Sequence, residues 1–491
     1  MTKISEGYMD FKTLERFIFR IACEAGCELI REYLTHLDRQ LMAERDASEY
    51  RYVRKGATTI KTQMGEVTFE RRYYRKREGG HVFLLDEAMG LERGCGLVSE
   101  NLAELIAREC CDKSFRKAAE SIRSCTGQGI SGPGTWNVFQ QLASTIEKKE
   151  IRLQELDESG STGHLGNKTT PVLFTEYDDV WISRQKQKRC RKAEVAEVNA
   201  TDHAKKIGKR PMHMATAYSG WKLKKDGTYA TVDKIACASY GKTDDFVEGF
   251  QILLRHYYDM DGVGQRIVNG DGEAWIKTAA ESQDSLLQLD PYHRSKAIIR
   301  CVSNKDDRQL LFNAIGEKDV NKLLFQADTL YKAAKTEKEQ KKLEDLVKYL
   351  RENKNNLLTW QERGIQLPVP PEGIVYRNLG VQESSNCSLI TQRMKHRRGS
   401  WSKPGANHMA KVLCFRHTIG LDTILGNLPE PLPVKAWPEP LSAAKTPKHD
   451  GKGYSAAWLY AEMPFTHASS THGREVIRNM VKQRSLSDLH G

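Results

Sequence analysis

Apolar residues recur at every third or fourth position near the start of the chain. Phe11, Leu14, Phe17, Ile18, Ile21 and Ala22 form one stripe, the spacing of an amphipathic helix. The period changes after Arg51. Thr58 to Gly65 leads into Glu66-Val-Thr-Phe-Glu-Arg-Arg-Tyr-Tyr-Arg-Lys-Arg77, and alternation around Met64-Gly65 predicts a β-hairpin. Helical spacing returns over 97–148 in three segments, opening at Ser99, Ser114 and Thr135. Gly127 and Gly129 part the last two. Ala118, Ala119 and Ile122 before that turn, with Ile130 and Val138 after it, suit a helix-turn-helix crossing. An ordinary three-helix packing unit has the same pattern. Pro171 to Ile182 reads as a strong strand, with further strands at His213 to Gly220 and Tyr229 to Ser239. A helix over Asp244 to Tyr258 carries Phe246, Phe250, Leu253, Leu254 and Tyr257 on one face. Arg266 to Val268 is a short strand running into Asn269-Gly-Asp-Gly272, where Ala274 and Trp275 open a helix. Leu286 to His293 is the last strand of the series.

Three strands, helix, strand, helix, strand is the succession of an RNase H-like α/β core, in which acids on the first and fourth strands meet. The succession is then interrupted. Asp306 to Trp360 reads as almost all helix, with stripes at Val320, Leu323, Leu324, Ala327, Leu330 and Tyr331 and at Leu343, Leu346, Val347 and Leu350. The heptads are not sustained, so an all-α insertion in the form of a hairpin or bundle is expected, not a coiled coil. Gly373 to Tyr376 is β-like, and a helix is expected from Glu383 to Met394. Six prolines between Leu428 and Pro447 predict an extended segment, followed by a helix over His472 to Lys482. The expected organisation is N-terminal helices over 1–50, a β-hairpin and helix-turn-helix DNA-binding region over 51–150, and the first part of the core over 170–304. The insertion covers 305–362, the last part of the core 363–426, and a proline-rich tail 427–491.

Charge adds a partner to this picture. Lys and Arg total 76 against 64 Asp and Glu, a net charge of +12. That balance suits a polyanion, most simply nucleic acid, although basic proteins of other kinds share it. The bases cluster. Arg71, Arg72 and Arg75 flank Tyr73 on the predicted hairpin; Lys188, Arg189, Arg191 and Lys192 follow the first core strand; Arg393, Arg397 and Arg398 precede Trp401. Bases bind phosphates and aromatic rings stack on nucleobases, while a solvated edge strand or surface loop has the same composition. In a helix-turn-helix, Asn137 and Gln140 would face the major groove. No apolar run reaches the length of a membrane span, and the first twenty residues hold no signal-peptide core. Eleven scattered cysteines, an odd number, point to a reducing compartment. Cys23 and Cys27 have no second pair at zinc-finger spacing and read as core residues. A cytoplasmic protein is expected.

The acids carry the chemistry. The first core strand holds Glu176, Asp178 and Asp179, and acids inside such a strand are disfavoured unless used. Asp271 stands at the end of the fourth strand, where α/β sheets place their chemistry, though Asp there also serves as a helix N-cap. Glu383 opens the helix after the insertion. Asp178, Asp271 and Glu383 form the kind of set that phosphodiester chemistry by two divalent ions requires, and their hard oxygens suit Mg²⁺ (or Mn²⁺). Spacing alone does not single out this trio among 64 acids.

Several motifs in order add a resemblance. Thr59-Ile-Lys-Thr with Gly65-Glu-Val-Thr-Phe-Glu-Arg-Arg-Tyr-Tyr, Leu84-Leu-Asp-Glu, Ser114-Phe-Arg-Lys-Ala-Ala, Glu176-Tyr-Asp178, Gly270-Asp271-Gly-Glu-Ala-Trp-Ile, Leu289-Asp290-Pro-Tyr-His293, and Glu383 with Arg393, Trp401-Ser402 and Gly405 together resemble the ISLre-type insertion-sequence transposases, a bacterial family related to Mutator-like DDE transposases. The resemblance spans roughly 50–425, and its Gly-Asp-Gly-x-x-Trp-Ile block is its most specific part. It implies a Mg²⁺-dependent polynucleotidyl transferase that binds the element's terminal inverted repeats and joins them to target DNA, acting as a homodimer or higher assembly on double-stranded DNA in the bacterial nucleoid. It implies Asp178, Asp271 and Glu383 as the catalytic, metal-binding triad, with Asp290 and His293 assisting. His293 is equally read as a packing residue at a helix start. The doublet Asp178-Asp179 leaves the first ligand ambiguous; Val180 and Ile182 follow Asp178 as in the family pattern. Two other outcomes remain open: a catalytically inactive or domesticated DNA-binding derivative, and an RNase H-like nuclease without strand transfer.

Overall fold

The computed structural model describes residues 10–91, 98–159, 166–185, 209–396 and 399–418. Lys188, Arg189, Arg191, Lys192, Arg397, Arg398, the proline-rich tail over 427–491 and its expected helix from His472 to Lys482 lie outside the described residues. The described residues divide into two compact units, which part between Leu142 and Ala143. Among the described residues, no helix is long and apolar enough to cross a membrane.

In the first unit one long helix, Phe11–Glu44, is capped by the Asp10 carboxylate, which accepts from the Thr13 amide at 2.9 Å. The expected hairpin follows as β1 (Tyr50–Lys61) and β2 (Glu66–Lys76), antiparallel, with an irregularity between Tyr52 and Arg54. A short β3 (His81–Val82) completes the sheet. Val67 and Phe69 of β2 bury against Leu34 and Leu85. Helices Glu100–Asp112 and Phe115–Cys125 start at Ser99 and Ser114, whose side chains accept from the amides of Leu102 and Lys117. The helix Gly132–Glu158 begins in this unit. Ala118, Ala119, Ile122, Ile130 and Val138 are all buried. Thr135 donates to the Phe115 carbonyl at 3.0 Å, tying the two helices at their crossing. Gly127 is obligatory in the turn between them, because a side chain there would collide with the Met64 carbonyl.

The second unit is mixed α/β. Its five-stranded sheet has the order β10-β9-β4-β5-β8, where β4 is Val172–Ser183, β5 Lys209–Tyr218, β8 Ile235–Ser239, β9 Gln265–Gly270 and β10 Leu286–Leu289. The central β4 pairs antiparallel with β5 and parallel with β9; β5 pairs antiparallel with β8, and β10 parallel with β9. The stretch read as one strand from Tyr229 to Ser239 is two. It breaks at Asp233, whose φ of 51° cannot continue a strand. Its first half, β7 (Tyr229–Val232), pairs instead with β6 (Gly220–Leu223) in a separate hairpin.

Alternation along β4 divides the core. Leu173 and Tyr177 pack with Phe246, Phe250 and Leu254 of the helix Thr243–Tyr257 and with Ile276 of Ala274–Ser282. Val172 and Phe174 pack on the other side with Tyr218, Trp221 and Leu379. After β10 come the helices Pro291–Cys301, Lys305–Gly316, Val320–Lys332 and Glu337–Glu352. They share a core of Ile298, Leu311, Leu323, Leu343, Leu346 and Leu350, so the charged insertion is a small bundle. Gly373 to Tyr376 forms no strand, only a bridge from Val375 to Trp221. The helix expected from Glu383 runs from Val381 to Met394, with a π-helical turn over Asn386–Thr391. The helix Lys403–Thr418 lies along β8, where Thr418 and Asn407 accept from the amides of Ala236 and Tyr240.

Candidate functional site

Glu176 and Asp178 point to one face of β4, Tyr177 and Asp179 to the other. On the first face Asp178 meets His293, from the helix Pro291–Cys301, and Glu383, from the segment after the insertion. One ligand atom from each lies within 4.8 Å of the others. The Asn386 amide donates to Asp178 Oδ2 at 2.5 Å, and the Asp179 N–H donates to its Oδ1 at 2.8 Å. Burial pushes the Asp178 carboxyl up to about 6; the His293 charge and the Asp179 N–H oppose this, and the charges of Asp271 and Glu383 add to it. Asp179 is engaged elsewhere. Its Oδ1 lies 2.7 Å from His213 Nδ1, and His213 Nε2 lies 3.2 Å from the Thr243 hydroxyl.

Asp271 follows β9 directly. Its carboxylate accepts from the Glu273 N–H at 3.0 Å, and its carbonyl accepts from the Tyr349 hydroxyl at 2.9 Å. The cap position of the helix Ala274–Ser282 is Glu273, not Asp271, so the Asp271 side chain holds the turn that precedes the helix. Gly272 allows that turn, with φ of 92° and an Asn353 side chain where a Cβ would stand. Burial raises the pKa of Asp271, opposed by the Glu273 N–H and His293 and reinforced by Asp179. An open cavity of about 470 Å³ extends from Asp271 and Glu273 past His293 to Lys296, Arg300 and Tyr349.

Asp290 is buried and caps the helix Pro291–Cys301, accepting from the amides of Tyr292 at 2.7 Å and His293 at 3.4 Å. It caps the turn from which His293 projects and is not among the residues grouped within 4.8 Å. The residues that sequence reading left without a role are the supports: His213 behind Asp179, Asn386 on Asp178, Asn269 between strands, and Tyr349 on the Asp271 carbonyl. Only Glu176 had a signal, an acid inside a buried strand.

The basic residues divide. Arg71 pairs with Asp86 and stacks over Phe83; Arg72 pairs with the buried Asp38. Tyr73 stacks on His81 at 4.9 Å and carries Arg54 over its ring. Arg75 and Asn137 are exposed and Gln140 is half-buried. Arg393 lies over the Trp401 ring at 5.1 Å.

A model of an uncharacterised protein family, UPF0236, matches residues 4–424. Among curated proteins, a UPF0236 protein of Caldanaerobacter subterraneus subsp. tengcongensis, named for eleven loci, is 23% identical over 414 residues, covering 83% of this chain and 78% of that protein. A second UPF0236 protein of the same bacterium is 24% identical over 419 residues, covering 83% and 79%. Among solved structures, a pre-cleavage Mos1 transpososome and the Mos1 strand transfer complex each align over 53% of this chain and 80% and 79% of theirs. Both alignments have 10% identity, and the TM-scores are 0.13 and 0.12.

Proposed function

We propose that this chain, which belongs to the uncharacterised protein family UPF0236, is the DDE transposase of a bacterial insertion sequence. The observation that carries the reading is the convergence of Asp178, His293 and Glu383 within 4.8 Å, with the Asp271 charge felt at Asp178. These groups come from 90 to 205 residues apart (293 to 383, 178 to 383) and are brought together by the fold. The sheet order, with the first core strand between an antiparallel and a parallel neighbour, supports an RNase H-like core. The capped helices joined at Gly127 support a helix-turn-helix. A relative named for eleven loci of one bacterium is what a self-copying element leaves behind.

The donor set fits the divalent ions this chemistry uses. Asp178, Asp271 and Glu383 offer hard oxygens, the donors Mg²⁺ or Mn²⁺ prefer, and they would hold the ions. Bound there, two such ions supply activation of the attacking water or DNA 3′-hydroxyl and charge stabilisation at the leaving oxygen. The protein's own groups prepare the site. Asn386 and the Asp179 N–H fix the Asp178 oxygens, Gly272 and Tyr349 fix the Asp271 turn, and the Asp290 cap holds the turn from which His293 projects. No covalent enzyme–DNA intermediate is invoked, so no Ser or Tyr nucleophile is assigned. Lys296 and Arg300 border the cavity beside Asp271 and would receive the phosphates of a DNA strand entering there. Arg75, Asn137 and Gln140 of the first unit would contact the element's ends, whereas the Tyr73 ring is already engaged by His81 and Arg54.

The test is cleavage and joining with Mg²⁺ on oligonucleotides carrying the element's ends. The intact protein should cut and join them, and Asp271→Asn should lose both steps while retaining end binding. Cutting without joining identifies a nuclease, and binding with neither identifies an inactive derivative. Either result overturns the transposase reading.

A further inference from the structure

Glu176 is wholly buried in β4, two residues before Asp178, and the chemistry above does not use it. A buried carboxylate is costly unless fully satisfied, and this one is. Its Oε1 accepts from the N–H groups of Val381 at 2.9 Å and Gly380 at 3.1 Å and from the Tyr218 hydroxyl. Its Oε2 accepts from the N–H groups of Gly380 at 3.1 Å and Gln382 at 3.2 Å and from the Asn269 amide at 3.0 Å. The three main-chain donors form the first turn of the segment that carries Glu383. Gly380 has φ of 138°, a conformation few other residues adopt.

The contacts extend across the sheet. The same Asn269 amide donates to Asp290 Oδ2 at 3.0 Å, the residue that caps the His293 helix. Gln382 receives the Thr216 hydroxyl at 2.8 Å and donates to Asn386 Oδ1 at 2.8 Å, and Asn386 donates to Asp178. One buried network thus links the elements bearing Asp178, Glu383 and His293. Burial pushes the Glu176 carboxyl up, and the Tyr218 hydroxyl and the N–H groups of Gly380, Val381 and Gln382 oppose this; all of its partners donate, and a carboxylate anion only accepts. Its lone pairs are taken up, which leaves none for an ion.

We infer that Glu176 is a positioning residue, an anionic anchor that seats the opening turn of Val381–Met394 on β4 and so sets the distance between Glu383 and Asp178. The inference rests on the metal-dependent reading above. Glu176→Gln keeps the shape but turns an N–H₂ toward N–H donors. Glu176→Asp keeps the charge but withdraws it.

The experiment compares full-length native protein, Glu176→Gln and Glu176→Asp by hydrogen–deuterium exchange, Mn²⁺ binding by electron paramagnetic resonance, and DNA-end cleavage. In Glu176→Gln, exchange over 380–394 should accelerate at least about 10-fold while β4 and β9 stay protected. Mn²⁺ affinity and kcat should fall about 10- to 100-fold, as when groups that orient metal ligands are removed, with KM for DNA unchanged. Glu176→Asp should recover part of the loss. If Glu176→Gln does not fold, Tyr218→Phe, which removes one donor, should give the same pattern at smaller size. Unchanged exchange over 380–394, or native-like cleavage by Glu176→Gln, overturns the inference. If the native protein neither binds Mn²⁺ nor cleaves, the functional reading fails, and exchange alone decides the anchor.

Discussion

The Nε2 atom of His293 stands 3.9 Å from Oδ2 of Asp178. That is too far for a direct hydrogen bond but close enough for the imidazole charge to lower a carboxyl pKa that burial has raised. The pair sits where a helix cap and a strand register meet, so both conformation and charge at this point are set by the fold.

The first prediction concerns pH. With the Asp178 carboxyl pushed up to about 6, the group is ionised at pH 7.5 and largely protonated at pH 5. Its folded pKa lies above the ordinary value, so its contribution to stability is full below about 4 and is lost as pH rises through about 6. Mn²⁺ requires the ionised form. Added Mn²⁺ should therefore raise Tm clearly at pH 7.5 and little at pH 5. Equal shifts at the two values, measured by calorimetry, would show that Asp178 is not a ligand.

The doublet on β4 gives a second prediction. Asp178→Asn should reduce Mg²⁺-dependent cleavage to background. Asp179→Asn, which loses the His213 contact and a charge acting on Asp271, should cost about 10-fold, the low end for a supporting group. Single-turnover cleavage compares them directly; the reverse ranking would move the ligand to Asp179.

Two arginines three positions apart on β2, Arg72 and Arg75, should behave differently. Arg72→Ala leaves Asp38 buried without its cation and should destabilise by on the order of 2 kcal/mol or more, read from urea unfolding. Arg75→Ala should leave stability unchanged and, if β2 meets DNA, lower the slope of log affinity against log salt by about 1. A slope unchanged by Arg75→Ala removes that residue from the interface.

Gly272→Ala tests the turn under Asp271. It places a side chain at φ of 92° against Asn353 and should cost about 1–3 kcal/mol together with most of the cleavage activity. A variant as stable as the native protein would mean that the turn accommodates a side chain.

What the sequence made legible was what local pattern controls. The hairpin, the five strands of the sheet and the helices of the insertion follow from periodicity, and the acids on β4 and after β9 stand out against their apolar neighbours. What escaped depends on distant partners. Glu176 has no visible purpose until the amides of Gly380 to Gln382 arrive from some 200 residues away. Arg71 and Arg72 read as free bases because Asp86 and Asp38 lie on other elements. The split between β7 and β8 hinges on one backbone angle at Asp233, which composition does not announce.

The π-helical turn over Asn386–Thr391 sets a phase between two ends of one helix. A π turn holds one residue more than an α turn, and each α-helical residue advances the chain by about 100° around the axis. Deleting one residue from 386–391 would therefore let that turn close into regular α spacing with its two ends still in phase. At full length, closing into α spacing would instead rotate Arg393, over Trp401, by about 100° against the opening turn seated on Glu176. What this stretch has to conserve is the phase between those two seats.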